Sequence, residues 1–309
     1  MLAMMFPNIF HNDVNKKDTI GRISLMIAME FSNKFDNIEV IKLLLGYGAD
    51  VNHQDNNKWT ALMIAYLVSN TKNGIEIIKL LLENGADVNK QNFEGYTALM
   101  IAARYSNINS STETVKLLLE NGADVNIQNF EGWTALLISA LNPKNESDCE
   151  TVKLLLDYGA DINKRILSGS TPLIIAVARC ANNKNDQIIK LLLERGADVN
   201  IQNSEDDTAL MVAINLPKSH LYSEIIKLLL EYQSNVNMQN IQGWTPLMLI
   251  TKHIKIDCFI PIANLLLDYG ADINIKNMSS KTFINYLDLN TNFGKECLEY
   301  ITRIKFKLF

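Results

Sequence analysis

The side chains of this 309-residue chain best suited to metal binding or nucleophilic chemistry are four histidines and four cysteines: His11, His53, His220, His253, Cys149, Cys180, Cys258 and Cys297. Zinc chemistry asks for histidines one helical turn apart, as in H-E-x-x-H, or for close cysteine pairs, because the ligands must converge on one ion. Neither spacing occurs here, and Cys149 has no basic partner near it in sequence to activate its thiol. Gly294-Lys295-Glu296 lacks the glycine-rich loop before it and the Ser or Thr after it that a phosphate-binding loop needs. Gly46-Tyr47-Gly48 reads as a helix ending, not a dinucleotide fingerprint. The expectation is a chain that is not an enzyme and uses no cofactor and no metal.

Aromatic residues carry the recognition chemistry instead. Trp59, Trp133 and Trp244 recur at one sequence position, with Tyr96 equivalent to them, and Phe93 and Phe130 stand three residues before Tyr96 and Trp133. Aromatics are enriched at protein-binding hot spots, so Trp59, Phe93, Tyr96, Phe130, Trp133 and Trp244 are the expected protein-binding residues. The tryptophan position equally suits a hydrophobic staple, a ring before a helix cap packing on the fourth helical residue: Trp59 on Ile64, Tyr96 on Ile101, Trp133 on Ile138. Phe93 and Phe130 have no staple role.

Composition narrows the partner. A net charge of −5 and a pI near 5.5, with lysines dispersed along the chain, exclude the concentrated positive field that nucleic acid requires. The expected partner is therefore one or more proteins, with no nucleic acid. No stretch approaches the roughly 18 apolar residues of a membrane span, and the apolar start, Met1 to Phe10, has no basic n-region or cleavage site. Scattered cysteines fit reduced thiols of the cytosol or nucleus, and a monomer is expected. The N-x-Ser sequons at Asn109, Asn145 and Asn277 arise by chance in an Asn-rich chain.

The elements that must position these residues follow from a fixed period. Thr60, Thr97, Thr134, Thr171, Thr208, Thr245 and Thr282 stand 37 residues apart, and Gly48, Gly85, Gly122, Gly159, Gly196 and Gly270 keep the same step, with Gln233 filling one slot. Each threonine reads as the N-cap of a short apolar helix, roughly Thr97 to Tyr105 in one copy, and Pro172 and Pro246 suit its first position. A polar linker such as Ser106 to Ser111 follows. A second helix, roughly Thr112 to Asn121, ends at its glycine after a leucine triplet. Ala123 to Gly132 is too polar and turn-rich for helix and reads as an extended hairpin loop. On the second helix Glu113, Lys116 and Glu120 form a solvated outer stripe.

The segments GYTALMIAA and LLLENGADVN resemble the ankyrin repeat, whose signature is T-P-L-H-x-A over a 33-residue period, and the resemblance covers nearly the whole chain. The four extra residues fall between the helices. The signature histidine is replaced by Met26, Met63, Met100, Leu137, Ile174, Met211 and Met248, which leaves packing in place of its hydrogen bonds. Long-period arrays rich in Asn, Ile and Lys are also similar to those of large DNA viruses and intracellular parasites, an origin that would imply a host cytosol or nucleus.

The resemblance implies an all-α repeat solenoid of helix-turn-helix units joined by β-hairpin-like loops. The expected partition is a leading half-repeat over 1–17, seven repeats (18–54, 55–91, 92–128, 129–165, 166–202, 203–239 and 240–276) and a capping repeat over 277–309. With a helix spacing of roughly 8–10 Å the array should extend roughly 80 Å. The resemblance also implies a non-catalytic scaffold or adaptor that binds a partner on a concave face of hairpin tips and first helices. Asn126, and Asn89 and Asn200 in similar contexts, look like sites of asparaginyl hydroxylases, so the array as hydroxylase substrate or decoy is the alternative. Substrate binding within a ubiquitin-ligase assembly is a third reading, though it would need an appended domain that the sequence does not show. The repeat 203–239 carries Asp206 and Gln233 where glycine is expected, so it should open first.

Overall fold

The computed structural model describes residues 13–31, 38–65, 73–105, 111–141, 146–180, 186–216, 222–253 and 259–307. His11, His220, Cys258 and the inter-helix linkers proper lie outside these residues, as does most of the leading half-repeat. The chain divides into two compact units, Met1–Asp161 and Ile162–Phe309. The N-terminal unit holds α1 (Ser24–Phe31), α2 (Ile38–Gly46), α3 (Ala61–Ile64), α4 (Gly74–Glu83), α5 (Ala98–Arg104), α6 (Ser111–Glu120), α7 (Ala135–Leu141) and α8 (Glu146–Asp157). The C-terminal unit holds α9 (Pro172–Cys180), α10 (Gln187–Glu194), α11 (Ala209–Asn215), α12 (Tyr222–Glu231), α13 (Pro246–Ile250), α14 (Phe259–Asp268) and α15 (Asn292–Lys307), with short 3-10 turns at Thr251–His253 and Phe283–Tyr286. No strand occurs among the described residues.

Local chemistry explains where the helices begin. Thr60, Thr97, Thr134, Thr171, Thr208 and Thr245 are buried, and each hydroxyl accepts a hydrogen bond from the backbone N–H three residues on, at 3.2–3.4 Å. Those donors belong to Met63, Met100, Leu137, Ile174, Met211 and Met248, the residues that stand where the signature has histidine. Their side chains are buried, so apolar packing occupies that place. Thr282 differs. Asn285 Oδ1 accepts from its N–H and from its hydroxyl, and a single 3-10 turn follows instead of an α-helix.

The leucine triplets supply the carbonyls that close the second helices. After α6, Ala123 N–H reaches Leu118 O at 3.0 Å and Gly122 N–H reaches Leu119 O at 3.1 Å, the paired bonds of a Schellman ending. The same pair of bonds ends α2, α4, α8, α10, α12 and α14. At α12 the left-handed residue is Gln233, with φ +64°, and Asp206 in the preceding loop has φ +55°. Both expected substitutions therefore adopt a backbone that glycine holds more cheaply. Lys58 (φ +59°) and Ser280 (φ +58°) do the same, two positions the sequence reading did not single out.

Packing is between neighbours. In the N-terminal unit α1, α3, α5 and α7 each pack on the next of the set and on their own following helix, while α2, α4, α6 and α8 form a second row. The C-terminal unit repeats the pattern, with α9, α11 and α13 in one row and α12 and α14 in the other, and α15 closing on α14. First helices are buried nearly all round, as Ala98 to Ala103 illustrate. The second helices are two-sided: Val115, Leu118 and Leu119 are buried while Glu113, Lys116 and Glu120 are exposed. Lys116 and Glu120 pair at 3.9 Å, an exposed contact of little energetic weight.

Candidate protein-binding site

The loops between second and first helices position the aromatic residues, and side-chain amides hold these loops. In the turn Asn92–Gly95, Asn92 Oδ1 accepts from Glu94 N–H at 3.0 Å and Tyr96 N–H at 2.8 Å, and Gly95 N–H returns to Asn92 O at 3.0 Å. Asn129 builds the next turn in the same way, accepting from Glu131 N–H at 3.0 Å and Trp133 N–H at 2.8 Å. Consecutive turns are joined through their backbones: Phe93 N–H donates to Asn57 O at 3.0 Å, and Phe130 N–H donates to Glu94 O at 3.3 Å. These bonds fix the main chain of each phenylalanine, and the rings project to solvent, Phe93 63% and Phe130 70% exposed.

Two further amide ladders run behind the turns. Gln91 Nε2 donates to Gly95 O at 2.7 Å and to Gln128 O, one period ahead, at 3.1 Å. Gln54, Gln202 and Gln239 bridge in the same manner, and Arg165 substitutes its guanidinium for the amide, bonding Gly169 O and Gln202 O. The asparagines form the other ladder. Asn89 Nδ2 donates to Gly122 O at 3.1 Å while its Oδ1 accepts from Asp124 N–H at 2.8 Å. Asn126 likewise spans to Gly159 O at 3.0 Å and Asp161 N–H at 2.8 Å, and Asn200 Oδ1 accepts from Asn235 N–H at 2.7 Å. Each of the expected hydroxylation residues thus ties its own loop to the following one. The repetition of Asp, Asn and Gln in these loops has a structural cause, since each of these side chains bonds backbone groups of the loops that no helix satisfies.

The aromatic residues divide by environment. Trp59, Tyr96 and Trp133 are half-buried, and Ile64, Ile101 and Ile138 are buried. Trp244 belongs to the C-terminal unit and is engaged there: its ring lies 4.7 Å from that of Tyr286, with Lys252 Nζ 4.5 Å above it. The structure therefore brings Trp59, Phe93, Tyr96, Phe130 and Trp133 onto successive loops of one unit and leaves Trp244 in the other. The turn position of Phe93 and Phe130 recurs in the C-terminal unit as Leu167, Ile241 and Met278, which are 79%, 48% and 78% exposed. The sequence reading passed over these three because they are not aromatic, although the 37-residue step from Phe130 leads directly to Leu167.

The remaining chemistry-bearing side chains have structural places. His53 Nε2 lies 2.7 Å from Gly21 O. Burial pushes the Cys297 thiol up to about 11 and also raises Cys180, where the nearby Asp186 carboxylate adds to it, so neither is poised as a nucleophile. Burial likewise holds the Asp207 carboxyl above its ordinary value, against the hydrogen bond from Asn240 Nδ2 at 3.0 Å. Among the described residues no three His, Cys, Asp or Glu side chains are grouped to hold a metal, and no helix is long and apolar enough to cross a membrane.

Capped helix pairs in nearest-neighbour rows, joined by amide-laddered turns, define a helical repeat protein. A family model described as "Ankyrin repeats (3 copies)" matches residues 3–92, 25–129, 66–166, 108–203 and 177–277, overlapping along most of the chain. The chain belongs to the ankyrin-repeat family. Among curated proteins none matches it. Ankyrin repeats are in general protein–protein interaction modules, and proteins built from them are typically non-catalytic.

Proposed function

We propose that this protein is a non-catalytic scaffold or adaptor that holds a partner protein on the turn and first-helix face of its N-terminal unit. One observation carries the reading: Phe93 and Phe130 stand mostly exposed on consecutive turns whose backbones are bonded to one another. Rings left in water on a rigid main chain bury apolar area on docking at little further conformational cost. Half-buried Trp59, Tyr96 and Trp133 extend the patch, and Leu167, Ile241 and Met278 give the C-terminal unit its own apolar turn positions. The partition into seven 37-residue repeats with a leading half-repeat and a closing cap, the monomeric state and a cytosolic or nuclear setting belong to the same reading.

The test is affinity capture from the protein's own cellular setting, comparing the wild type with Phe93→Ala, Phe130→Ala and Trp133→Ala combined. A protein retained by the wild type and lost by the still-folded variant supports the aromatic patch as the site. The same protein retained by both turns the aromatics into packing residues and sinks the proposed surface.

A further inference from the structure

We infer that the turn Asn129–Gly132, with Phe130, Glu131 and the adjoining Trp133, receives an arginine side chain presented by an extended segment of the partner protein. The inference rests on the protein-binding reading above and supplies the chemistry of the ligand.

Equivalent positions of the repeat differ in whether a cation lies over the ring. Phe93 has a cation over its ring, Lys58 Nζ at 5.3 Å from the centroid, supplied by the preceding turn. The residue that stands in the same relation to Phe130 is Gly95, which has no side chain to offer. Trp244 carries Lys252, eight residues on, at 4.5 Å. The residue eight after Trp133 is Leu141. Positions eight apart at this place meet in one copy of the N-terminal unit, where Arg22 Nη1 lies 2.6 Å from Glu30 Oε2, while among the described residues Arg104, eight after Tyr96, lies over no ring.

Phe130 and Trp133 thus stand at positions where one other copy each, Phe93 and Trp244, has a cation over its ring. Among the described residues no cation lies over Phe130 or Trp133. The same turn exposes Glu131, and the preceding turn, bonded to it through Phe130 N–H, exposes Glu94. Rings on turns that also expose carboxylates favour a cation, and a planar guanidinium can stack on a ring while its N–H groups reach a carboxylate. An ammonium has no flat face for the same double contact. The chain's net charge of −5 favours the approach of such a segment.

The probe is a fluorescein-labelled ten-residue peptide of alternating arginine and glycine. Its counterpart replaces arginine by citrulline, which has nearly the same shape and no charge. Anisotropy titrations of the full chain at about 0.1 M salt should show the arginine peptide binding roughly 2- to 30-fold tighter than the citrulline peptide. Phe130→Leu keeps an apolar side chain and the net charge, and should remove most of that difference. Leu141→Lys should place an ammonium over Trp133 as Lys252 does over Trp244, and weaken the arginine peptide by a similar factor, while Leu141→Gln should not. Hydrogen exchange of α5 and α7 checks that each variant is folded.

Equal affinity for the two peptides, no binding of the arginine peptide, or full binding by folded Phe130→Leu and Leu141→Lys overturns the inference. If the peptides fail to discriminate while partner capture still depends on the aromatics, protein binding survives and only the cation falls. If capture is also indifferent to the aromatics, both fall.

Discussion

Gly95 seats the turn that carries Phe130, and replacing it separates two physical effects that the sequence presents as one. Gly95 and Gly122 have almost the same backbone, φ +83° and +84°. An alanine at either pays the left-handed penalty of roughly 1 kcal/mol. Their surroundings differ. A Cβ on Gly122 would meet nothing within 4 Å, whereas on Gly95 it would stand 2.9 Å from both Asn129 Cα and Phe130 N. Those are backbone atoms, so relief requires the next turn to move. Overpacking of this kind adds about 1–3 kcal/mol. The lower end is expected, because Lys58, Asp206 and Ser280 occupy equivalent places with side chains and positive φ. Gly122→Ala should therefore lose about 1 kcal/mol and Gly95→Ala about 2 kcal/mol. Urea midpoints give the totals, and native-state hydrogen exchange locates them. Only Gly95→Ala should also deprotect the Phe130 amide, whose 3.3 Å bond to Glu94 O depends on close approach of the turns. Equal losses, or a larger one at Gly122, would refute the reasoning from space and leave φ as the whole effect.

Three further outcomes are expected. Gln233→Gly should raise the urea midpoint by an amount worth roughly 0.5–1 kcal/mol, and an unchanged midpoint would contradict it; in the wild type the segment 203–239 should exchange faster than 92–128, and equal protection would contradict that. Asn126→Ala removes the bonds to Gly159 O and from Asp161 N–H. It should cost about 1–2 kcal/mol in urea titration and deprotect the Asp161 amide, and an unchanged Asp161 amide would show the ladder to be idle. Asp207→Asn should stabilise at pH 7, because the folded pKa is raised by burial, so the charged form is the strained one. That penalty is absent below the ordinary carboxylate value of about 4 and grows as pH rises through the folded pKa, so the gain in melting temperature should vanish near pH 3. A gain that persists there would assign it to something other than ionisation.

The helices and their limits were legible without coordinates because their causes are local. A threonine cap acts on an N–H three residues away, and a leucine triplet ending in glycine closes on its own carbonyls. Each such signal is repeated at a fixed step, so chance copies are filtered out. The exposed turn at Phe93 and Phe130 was legible for the same reason. The jobs of Asn126 and Gln91 were not, because their partners lie 33 to 37 residues away and only stacked loops bring them within 3.1 Å. Sequence could show that these residues recur, and so suggested a chemical role for Asn89, Asn126 and Asn200. The tertiary structure alone decided that their amides complete the backbone of the neighbouring loop. It also decided which aromatic rings meet a cation. Lys58 reaches Phe93 across 35 residues and Lys252 reaches Trp244 across eight, contacts set by how one loop lies against the next and by the helix that follows it.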